Sequence, residues 1–378
     1  MRTWDIFCSV VDNFGDIGVC WRLSRQLSSE LGQSVRLLVD DLASFHRLCS
    51  DVDPARQSQR ICGVEIRHWN RALEVQPAEI VIEGFGARLP DAYIISMTMR
   101  QPHPVWINLE YLSAEPWVEG CHGLPSPHTS LPLVKYFFFP GFTSATGGLL
   151  MESGLTQARD AFQRDPAALA AFWRSLDLAP PDDKVLSISL FCYDNCALPA
   201  LVEAWSIHSR SVVCIVPDGK VLGHLSHIVG RPIVVGNGIK LGRLAIYAVP
   251  FLELDQYDRL LWACDFNFVR GEDSFVRAQL AARPLVWQAY PQSGGAHLPK
   301  TFAFLQRYTD ALDASARPAV CALFDAWSRE SADIGKHWSA LRSHREMLAA
   351  HASKWAAHLG CGGNLAVKLA EFCENRLK

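Results

Sequence analysis

Two carboxylates, Asp12 and Asp16, flank Asn13, Phe14 and Gly15 close to the amino terminus. An apolar, β-branched run ends just before them, and apolar residues at helical spacing follow them. A strand, a glycine-containing turn and a helix place such a loop at the carboxyl end of a strand, where α/β sheets bind ligands. Asp16 could instead only cap the following helix, because Asp and Asn favour turns and helix starts. Two acids are more than a turn needs, so we interpret this loop as a candidate functional site.

The second candidate stretch is Arg270-Gly271-Glu272-Asp273-Ser274, between a predicted strand and a predicted helix. Free N–H groups at a helix start, together with the Arg270 guanidinium and the Ser274 hydroxyl, can hold a diphosphate. A carboxylate would repel phosphate, so Glu272 or Asp273 would accept hydrogen bonds from sugar hydroxyls instead. The plain alternative is that these two acids only cap the helix and complement its dipole.

The third candidate is Phe251, which closes a predicted strand. An exposed ring at that position could stack on a base, although such a residue belongs to the core about as often. Combined with the two loops, it favours a nucleotide-sugar transferase built from two Rossmann-like domains. The donor diphosphate would lie on the second domain, and the acceptor and the general base on the first.

Composition excludes several other classes. The net charge of −3 argues against a protein that binds nucleic-acid backbones. No stretch reaches the ~18 apolar residues of a membrane span, and we expect no signal peptide. Twelve cysteines without a paired framework are typical of reduced thiols, which suits the cytoplasm. Neither Cys192-x-x-x-Cys196 nor Cys121-His122 has zinc-site spacing, so we expect no metal; P-loop, HExxH and GxSxG motifs are absent too.

Alternating strand-like and helix-like segments predict an α/β protein with two doubly wound parallel sheets. We expect an N-terminal domain over 1–155, a linker over 156–183, a C-terminal domain over 184–345, and C-terminal helices over 346–378 that pack back on the first domain. The predicted strands are 6–11, 34–39, 64–69 (an edge strand), 79–83, 105–109, 184–191, 211–216, 244–249, 266–269 and 284–288. The predicted helices are 42–48, 93–99 (helix or loop), 167–176, 198–208, 254–263, 273–282, the tail from 319 and a last helix over 363–378.

Four segments together resemble the protein-arginine rhamnosyltransferases of the EarP family. They are VDNFGDIGV (11–19), NLEYLSAE (108–115), KYFFFPGF (135–142) and RGEDSFVRAQ (270–279). The resemblance implies a GT-B fold, with two Rossmann-like domains facing each other across a cleft. It also implies an inverting, metal-independent transfer of L-rhamnose from dTDP-β-L-rhamnose to an arginine of translation elongation factor P. The modified factor would rescue ribosomes stalled at polyproline.

The resemblance also implies roles for individual residues. Asp16 matches the acid proposed as the general base, Asp12 matches a second essential acid of the same loop, and Glu272 matches a catalytic acid of the donor side. Such a base suits the reaction, because a carboxylate can orient a guanidinium and draw off its proton as the C–N bond forms. Donor contacts are implied at Asn13, Phe14, Gly15, Tyr193, Phe251, Arg270, Gly271, Glu272, Asp273 and Ser274.

The sequence departs from the family pattern on the donor side. Leu254 stands where a polar residue is expected, and Gln288-Ala289 replaces a bulkier pair before Tyr290. Ser293-Gly294-Gly295 replaces a more acidic stretch. These departures concern individual donor contacts, whereas the residues implied in the reaction are present.

Other functions stay open on the residues alone. A sugar-nucleotide epimerase would turn over the donor without a protein acceptor. Another GT-B transferase would use a small-molecule acceptor. A nucleotide-sensing interaction module would bind the donor without forming a product.

Overall fold

The computed structural model describes residues 1–11, 14–70 and 75–377. These residues divide into two compact units. The first unit comprises Met1–Ser153 and the segment from Leu359 onward, and the second comprises Gly154–His358. Among the described helices, none combines the length and the apolarity needed to cross a bilayer.

Eight strands form the sheet of the first unit within the described residues. They are β1 (Thr3–Cys8), β2 (Ser34–Val39), β3 (Ser58–Ile61), β4 (Val64–His68), β5 (Ile80–Gly84), β6 (Val105–Leu109), β7 (Pro125–Pro127) and β8 (Val134–Phe138). Their order is β3-β4-β2-β1-β5-β6-β8-β7, and the six central strands run parallel. All residues of β5 and β6 are buried, as expected for parallel strands with both faces covered.

Helices connect strands of this sheet. They are α1 (Gly15–Ser29), α2 (Leu42–Leu48), α3 (Asp91–Thr98) and α4 (Trp117–Cys121). The helix α1 follows β1 directly and is buried on all sides from Asp16 to Ser24. A strand followed at once by a packed helix fixes the intervening loop at the carboxyl edge of the sheet.

The second unit contains a six-stranded sheet in the part of the chain that the structure describes. Its helices begin with α5 (Leu155–Arg164) and α6 (Pro166–Ser175), so residues expected to form a linker are largely helical and lie in this unit. The strands are β9 (Val185–Leu190), β10 (Ser211–Pro217), β11 (Gly238–Leu241), β12 (Leu244–Val249), β13 (Phe266–Arg270) and β14 (Leu285–Gln288), in the order β11-β12-β10-β9-β13-β14. The remaining helices are α7 (Leu198–Ser206), α8 (Lys220–Val229), α9 (Leu254–Ala263), α10 (Asp273–Leu280), α11 (Leu298–Asp310), α12 (Arg317–Ser328), α13 (Ile334–Ala340) and α14 (Arg345–Cys361), whose residues from Leu359 onward belong to the first unit.

The last helix, α15 (Leu365–Glu374), belongs to the first unit. Asn364 caps it, because its side-chain oxygen accepts from the backbone N–H of Ala366 at 2.9 Å. The Lys368 ammonium donates to the carbonyl of Thr146 at 2.9 Å. The second contact attaches the C-terminal segment to the loop that follows β8.

Both sheets are mixed rather than wholly parallel, which corrects the sequence-based expectation. The strand β3 runs antiparallel to β4, β7 to β8, and β11 to β12. The segment 64–69 is therefore not an edge strand, since β3 lies outside it. Cys62 and Gly63 have φ values of 49° and 79°, and a two-residue turn with two positive φ values joins antiparallel strands tightly.

The first strand ends at Cys8, earlier than the apolar run predicted. Two carboxylates take the backbone N–H groups that would otherwise continue the ladder. Asp40 accepts from the N–H of Val10 at 2.9 Å, and Asp16 accepts from that of Val11 at 3.0 Å. The chain leaves the sheet at this point and enters the loop before α1.

Candidate functional site

Asp16 lies in the first turn of α1 and is 1% exposed. Its Oδ2 accepts from the N–H of Val11 at 3.0 Å, and its Oδ1 accepts from the Tyr111 hydroxyl at 3.2 Å. The N-cap position is occupied by Phe14, which makes no side-chain capping bond. Asp16 therefore does more than cap the helix, because its two oxygens join the loop backbone to a second loop at the edge of the sheet.

Tyr111 is a site residue that sequence reasoning did not single out. It follows β6, and its ring stacks on that of Phe85 with centroids 4.6 Å apart and planes 18° apart. Phe85 has a φ of 56°, a left-handed conformation that is uncommon for a residue with a side chain. The stack fixes the Tyr111 ring, so its hydroxyl is held against Asp16. The available signal was its place at the carboxyl end of a central strand.

Gly84, next to Phe85 in the chain, lets β5 pack closely on its neighbours. A Cβ at Gly84 would lie 2.8 Å from the Cys20 sulfur and 2.9 Å from the Phe7 carbonyl oxygen. Only glycine lets β5 approach both β1 and α1 this closely. The same close packing holds α1, and with it Asp16, against the end of the sheet.

Further polar groups lie at the carboxyl ends of the neighbouring strands. Glu83 is 4% exposed and pairs with the Lys135 ammonium at 2.8 Å. Burial raises the pKa of Glu83, and the Lys135 charge opposes that rise. Asn108, opposite Glu83 in the parallel register, donates to the carboxylate of Glu110. Charged and amide groups thus converge where the sheet offers a ligand-binding edge.

The other predicted site residues of the first loop are only partly described by the structure. Asp12 and Asn13 lie outside the described residues. Phe14 is half-buried, with the Arg47 guanidinium 5.4 Å from its ring centroid, and Gly15 begins α1.

In the second unit, Arg270 ends β13 and lies between two aromatic rings. Its guanidinium carbon is 4.4 Å from the ring centroid of Phe191 and 4.3 Å from that of Tyr193. Both rings follow β9, the strand paired with β13. Arginine stacks well on aromatic faces, so the rings hold the cation in one orientation. Sequence reasoning found Arg270 and Tyr193 but not Phe191.

The Gln288 side chain holds the backbone at Tyr193 through hydrogen bonds. Its side-chain oxygen accepts from the backbone N–H of Tyr193 at 2.9 Å, and its amide nitrogen donates to the Asp194 carbonyl at 3.4 Å. The Tyr193 ring also meets the Tyr290 ring edge-on, with centroids 5.5 Å apart. Gln288, which departs from the family pattern, therefore helps to hold the Tyr193–Tyr290 pair in place.

The turn between β13 and α10 is tightly held. Gly271 has a φ of 64°, and its carbonyl accepts from the Trp287 indole N–H at 2.8 Å. The Ser274 hydroxyl donates to the Arg270 carbonyl, closing the turn. Helix α10 begins at Asp273, and Glu272, at the N-cap position, makes no side-chain capping bond. Capping therefore does not explain Glu272.

Glu272 pairs instead with Lys300 of α11. The Lys300 ammonium lies 2.5 Å from Oε1 of Glu272, and both side chains are largely buried. Sequence reasoning missed Lys300, which is 28 residues away and carries no motif. The pair places the Lys300 ammonium beside the turn that carries Glu272 and Asp273.

Phe251 follows β12 at the same carboxyl edge and is half-buried. In the strand order, β12 is three strands from β13, about 14 Å at the usual spacing between strands. Phe251 therefore does not join the cluster around Arg270 but lies along the same edge. Leu254, the other departure on this side, is buried at the start of α9, and Ser293–Gly295 form a short 3-10 helix.

A buried ion pair fixes α10 on α9. The Arg277 guanidinium makes two bonds to Asp258, at 2.9 and 2.5 Å, and both residues are under 5% exposed. Burial also raises the pKa of Tyr257, which stays protonated on the neighbouring turn.

In the part of the chain that the structure describes, no group of three or more His, Cys, Asp or Glu side chains is arranged to hold a metal.

Comparisons with known proteins agree with the resemblance of the four segments. A family model for the Elongation-Factor P (EF-P) rhamnosyltransferase EarP matches residues 4–374. A protein-arginine rhamnosyltransferase of Pseudomonas putida is 48% identical over 379 residues, which cover 99% of each chain. A structure described as the basis for EarP-mediated arginine glycosylation of translation elongation factor EF-P is 35% identical, with a TM-score of 0.71 over 99% of both chains.

Anabaena Alr3699/HepE, solved with UDP-glucose, resembles this chain in fold alone. It is 10% identical, with a TM-score of 0.51 over 100% of this chain and 99% of that one. The expected α/β fold of the GT-B type is confirmed. Because a family model spans residues 4–374 and a relative is 48% identical over 99% of both chains, the chain belongs to the EF-P rhamnosyltransferase EarP family and is an enzyme, a protein-arginine rhamnosyltransferase.

Proposed function

We propose that this enzyme transfers L-rhamnose from dTDP-β-L-rhamnose to an arginine side chain of translation elongation factor P, with inversion at the anomeric carbon. The name of the Pseudomonas putida relative and the description of the EarP structure support the arginine and the acceptor protein. The acceptor's role in translation, together with free thiols at all twelve cysteines, favours the cytoplasm. Neither nucleic acid nor a membrane is part of the proposal. The modified factor would rescue ribosomes stalled at polyproline.

One observation carries the chemistry: Asp16 is a buried carboxylate held at both oxygens at the carboxyl edge of the first sheet. A guanidinium is protonated at neutral pH and is a poor nucleophile. A fixed carboxylate can pair with it, orient one nitrogen and accept its proton. Asp16 would act as this general base, and Asp12 would hold the acceptor arginine or the loop.

The donor would lie along the carboxyl edge of the second sheet. Arg270, held between the rings of Phe191 and Tyr193, would contact the diphosphate together with the N–H groups of Asp273 and Ser274. Phe251, farther along the edge, would stack on the thymine base.

Glu272 and the first loop complete the proposed donor contacts. Lys300 holds Glu272 through Oε1, and the Glu272 carboxylate would accept from the sugar hydroxyls near the reacting carbon. Asn13, Phe14 and Gly15 would contact the donor from the loop that carries the base.

In the reaction, the bond between the anomeric carbon and the diphosphate oxygen breaks, and its electron pair leaves with dTDP. A C–N bond forms on the opposite face of the sugar, which inverts the centre. The proton released by the attacking nitrogen passes to Asp16. Arg270 and the helix N–H groups would stabilise the charge on the leaving diphosphate, so the proposal includes no metal.

The test is to incubate the purified enzyme with elongation factor P and dTDP-β-L-rhamnose, followed by intact-mass measurement. We expect the factor to gain one deoxyhexose, and we expect no gain when its target arginine is replaced by lysine. The reaction should proceed equally in EDTA, and NMR of the product should show an inverted anomeric centre. Donor turnover without acceptor would support an epimerase, and binding without product would support a sensing module; either result contradicts the proposal.

A further inference from the structure

A cavity of about 560 Å³ lies at the amino-terminal edge of the second sheet. Leu186 lines it near the start of β9, Phe266 at the start of β13, and Pro284 just before β14. Arg270, in the proposed donor site, ends the same strand that Phe266 begins. These two residues are about 13 Å apart along the strand, so the cavity is separate from the donor site.

The inner wall of the cavity is apolar. Besides the strand residues, Trp338 of α13, Leu341 and Leu348 line it, and all three are under 7% exposed. The indole N–H of Trp338 has no acceptor among the described residues. Small-molecule sites usually enclose about 300–1,000 Å³ with mostly apolar walls and a few polar groups, and this cavity has those properties.

The mouth of the cavity is positively charged. Arg210, Arg342 and Arg345 line it, against the single carboxylate of Asp265 among the described lining residues, which leaves two positive charges. Asp265 is already engaged, because Arg345 donates to Oδ1 at 3.0 Å and Ser187 donates to Oδ2 at 3.0 Å. Burial and the nearby Arg342 and Arg210 lower the pKa of His208, so its imidazole is neutral at pH 7.

Arg342 is the least compensated of the three cations. Arg210 donates to the Lys184 carbonyl at 2.9 Å, and Arg345 pairs with Asp265. Arg342 is exposed, and it makes no hydrogen bond or ion pair with any residue that the structure describes. The Arg342 guanidinium is therefore available to pair with an anion at the mouth of the cavity.

We propose that this cavity binds a small organic anion with an apolar body, whose carboxylate, sulfonate or phosphate group lies against Arg342 and whose apolar part packs on Trp338. Apolar walls and a cationic mouth together favour a ligand with both an apolar part and an anionic group. An uncharged ligand would not form the ion pair with Arg342, and an inorganic ion would not bury the apolar walls. The site is independent of the rhamnosyl transfer, because it uses none of the residues assigned to donor or acceptor.

The test uses anilinonaphthalene sulfonate, a fluorescent anion with two aromatic groups, and the full-length enzyme saturated with dTDP so that the donor site is occupied. Binding is followed by fluorescence titration. Arg342→Glu reverses the charge at the mouth, and Ala340→Trp fills the space beside it. Lys336→Glu is the matched control, because Lys336 is exposed on the same helix as Ala340, does not line the cavity and changes the net charge equally.

We expect saturable binding at one site, weakened at least about tenfold by Arg342→Glu and by Ala340→Trp and unchanged by Lys336→Glu. The uncharged analogue phenylnaphthylamine should bind at least about tenfold more weakly than the sulfonate. Lack of saturable binding, equal weakening in Lys336→Glu, or full affinity in both cavity variants would overturn the proposal. Thermal unfolding of each variant verifies that it is folded under the titration conditions.

Discussion

The Tyr111 hydroxyl donates to Oδ1 of Asp16 at 3.2 Å, although the two residues are 95 positions apart in the sequence. The bond joins the loop after β6 to the first turn of α1. The other oxygen of Asp16 is taken by the N–H of Val11, so the carboxylate has a fixed orientation. This relationship makes Tyr111 the positioning residue of the proposed base.

Tyr111→Phe should lower kcat by about tenfold to a hundredfold and leave the donor KM nearly unchanged. The variant loses one hydrogen bond to a charged group, worth about 1.5–3 kcal/mol, while its ring can still stack on Phe85. Steady-state kinetics with the acceptor protein measure the change. Tyr136→Phe is the control, since Tyr136 lies in the same sheet but packs on Phe372. Equal kinetics for both variants would exclude a positioning role for Tyr111.

Asp16→Asn should lower kcat by about 10²–10⁴-fold, the usual contribution of a general base, and leave donor affinity within about threefold. Asp40→Asn is a matched control because Asp40 also accepts a backbone N–H of the same loop but is exposed and does not contact Tyr111. Single-turnover kinetics and donor titration separate chemistry from binding. If both variants lost activity equally, Asp16 would act only by shaping the loop.

Much of the fold could be predicted because local pattern and tertiary packing agree. The segments 105–109, 244–249 and 254–263 coincide with β6, β12 and α9. The missed elements include the edge strands β3, β7 and β11 and the helices α4, α5, α8 and α11. Edge strands and surface helices depend on what they pack against, and that information is not local.

The candidate site was predicted only in part, for a related reason. Asp16 and Arg270 each stand at a strand end beside a glycine turn, which is a local signal. Tyr111 also follows a strand end, but neither it nor Lys300 stands beside a glycine turn, and each acts through a partner that the topology brings to it. The early end of β1 was also unpredictable, because Asp40 reaches it from the end of another strand.

Lys300→Met should destabilise the enzyme by about 1–3 kcal/mol, because it leaves the largely buried Glu272 without its cation. Urea denaturation measures the change, and Lys336→Met controls for loss of an exposed lysine. Glu272→Gln should cost less in the Lys300→Met background than in the parent enzyme. Additive effects in this double-mutant cycle would show that the two side chains do not interact.

Gly84→Ala should destabilise the first unit by about 1–3 kcal/mol, since a Cβ there would overlap the Cys20 sulfur and the Phe7 carbonyl. Gly223→Ala is the matched control in which the added methyl group meets no other atom, because Gly223 lies inside α8 with open space around its Cβ position. Alanine there should stabilise the protein by about 0.5–1 kcal/mol. Urea denaturation followed by circular dichroism compares the two. A neutral Gly84→Ala variant would mean that β5 and α1 can separate without cost.

Stability should fall as the pH drops below neutrality, and His351 should contribute to that fall. Its Nε2 lies 2.7 Å from the Tyr308 carbonyl oxygen, and burial lowers its pKa. The unfolded chain, with an ordinary histidine pKa, therefore binds more protons below about pH 6.5 than the native state, so acid favours unfolding. His351→Gln keeps an N–H donor for the carbonyl and removes the titration. Between about pH 7.5 and about pH 5.5 the variant should lose less unfolding free energy than the parent, as measured by urea denaturation at each pH. Identical losses in the two proteins would place the acid sensitivity elsewhere.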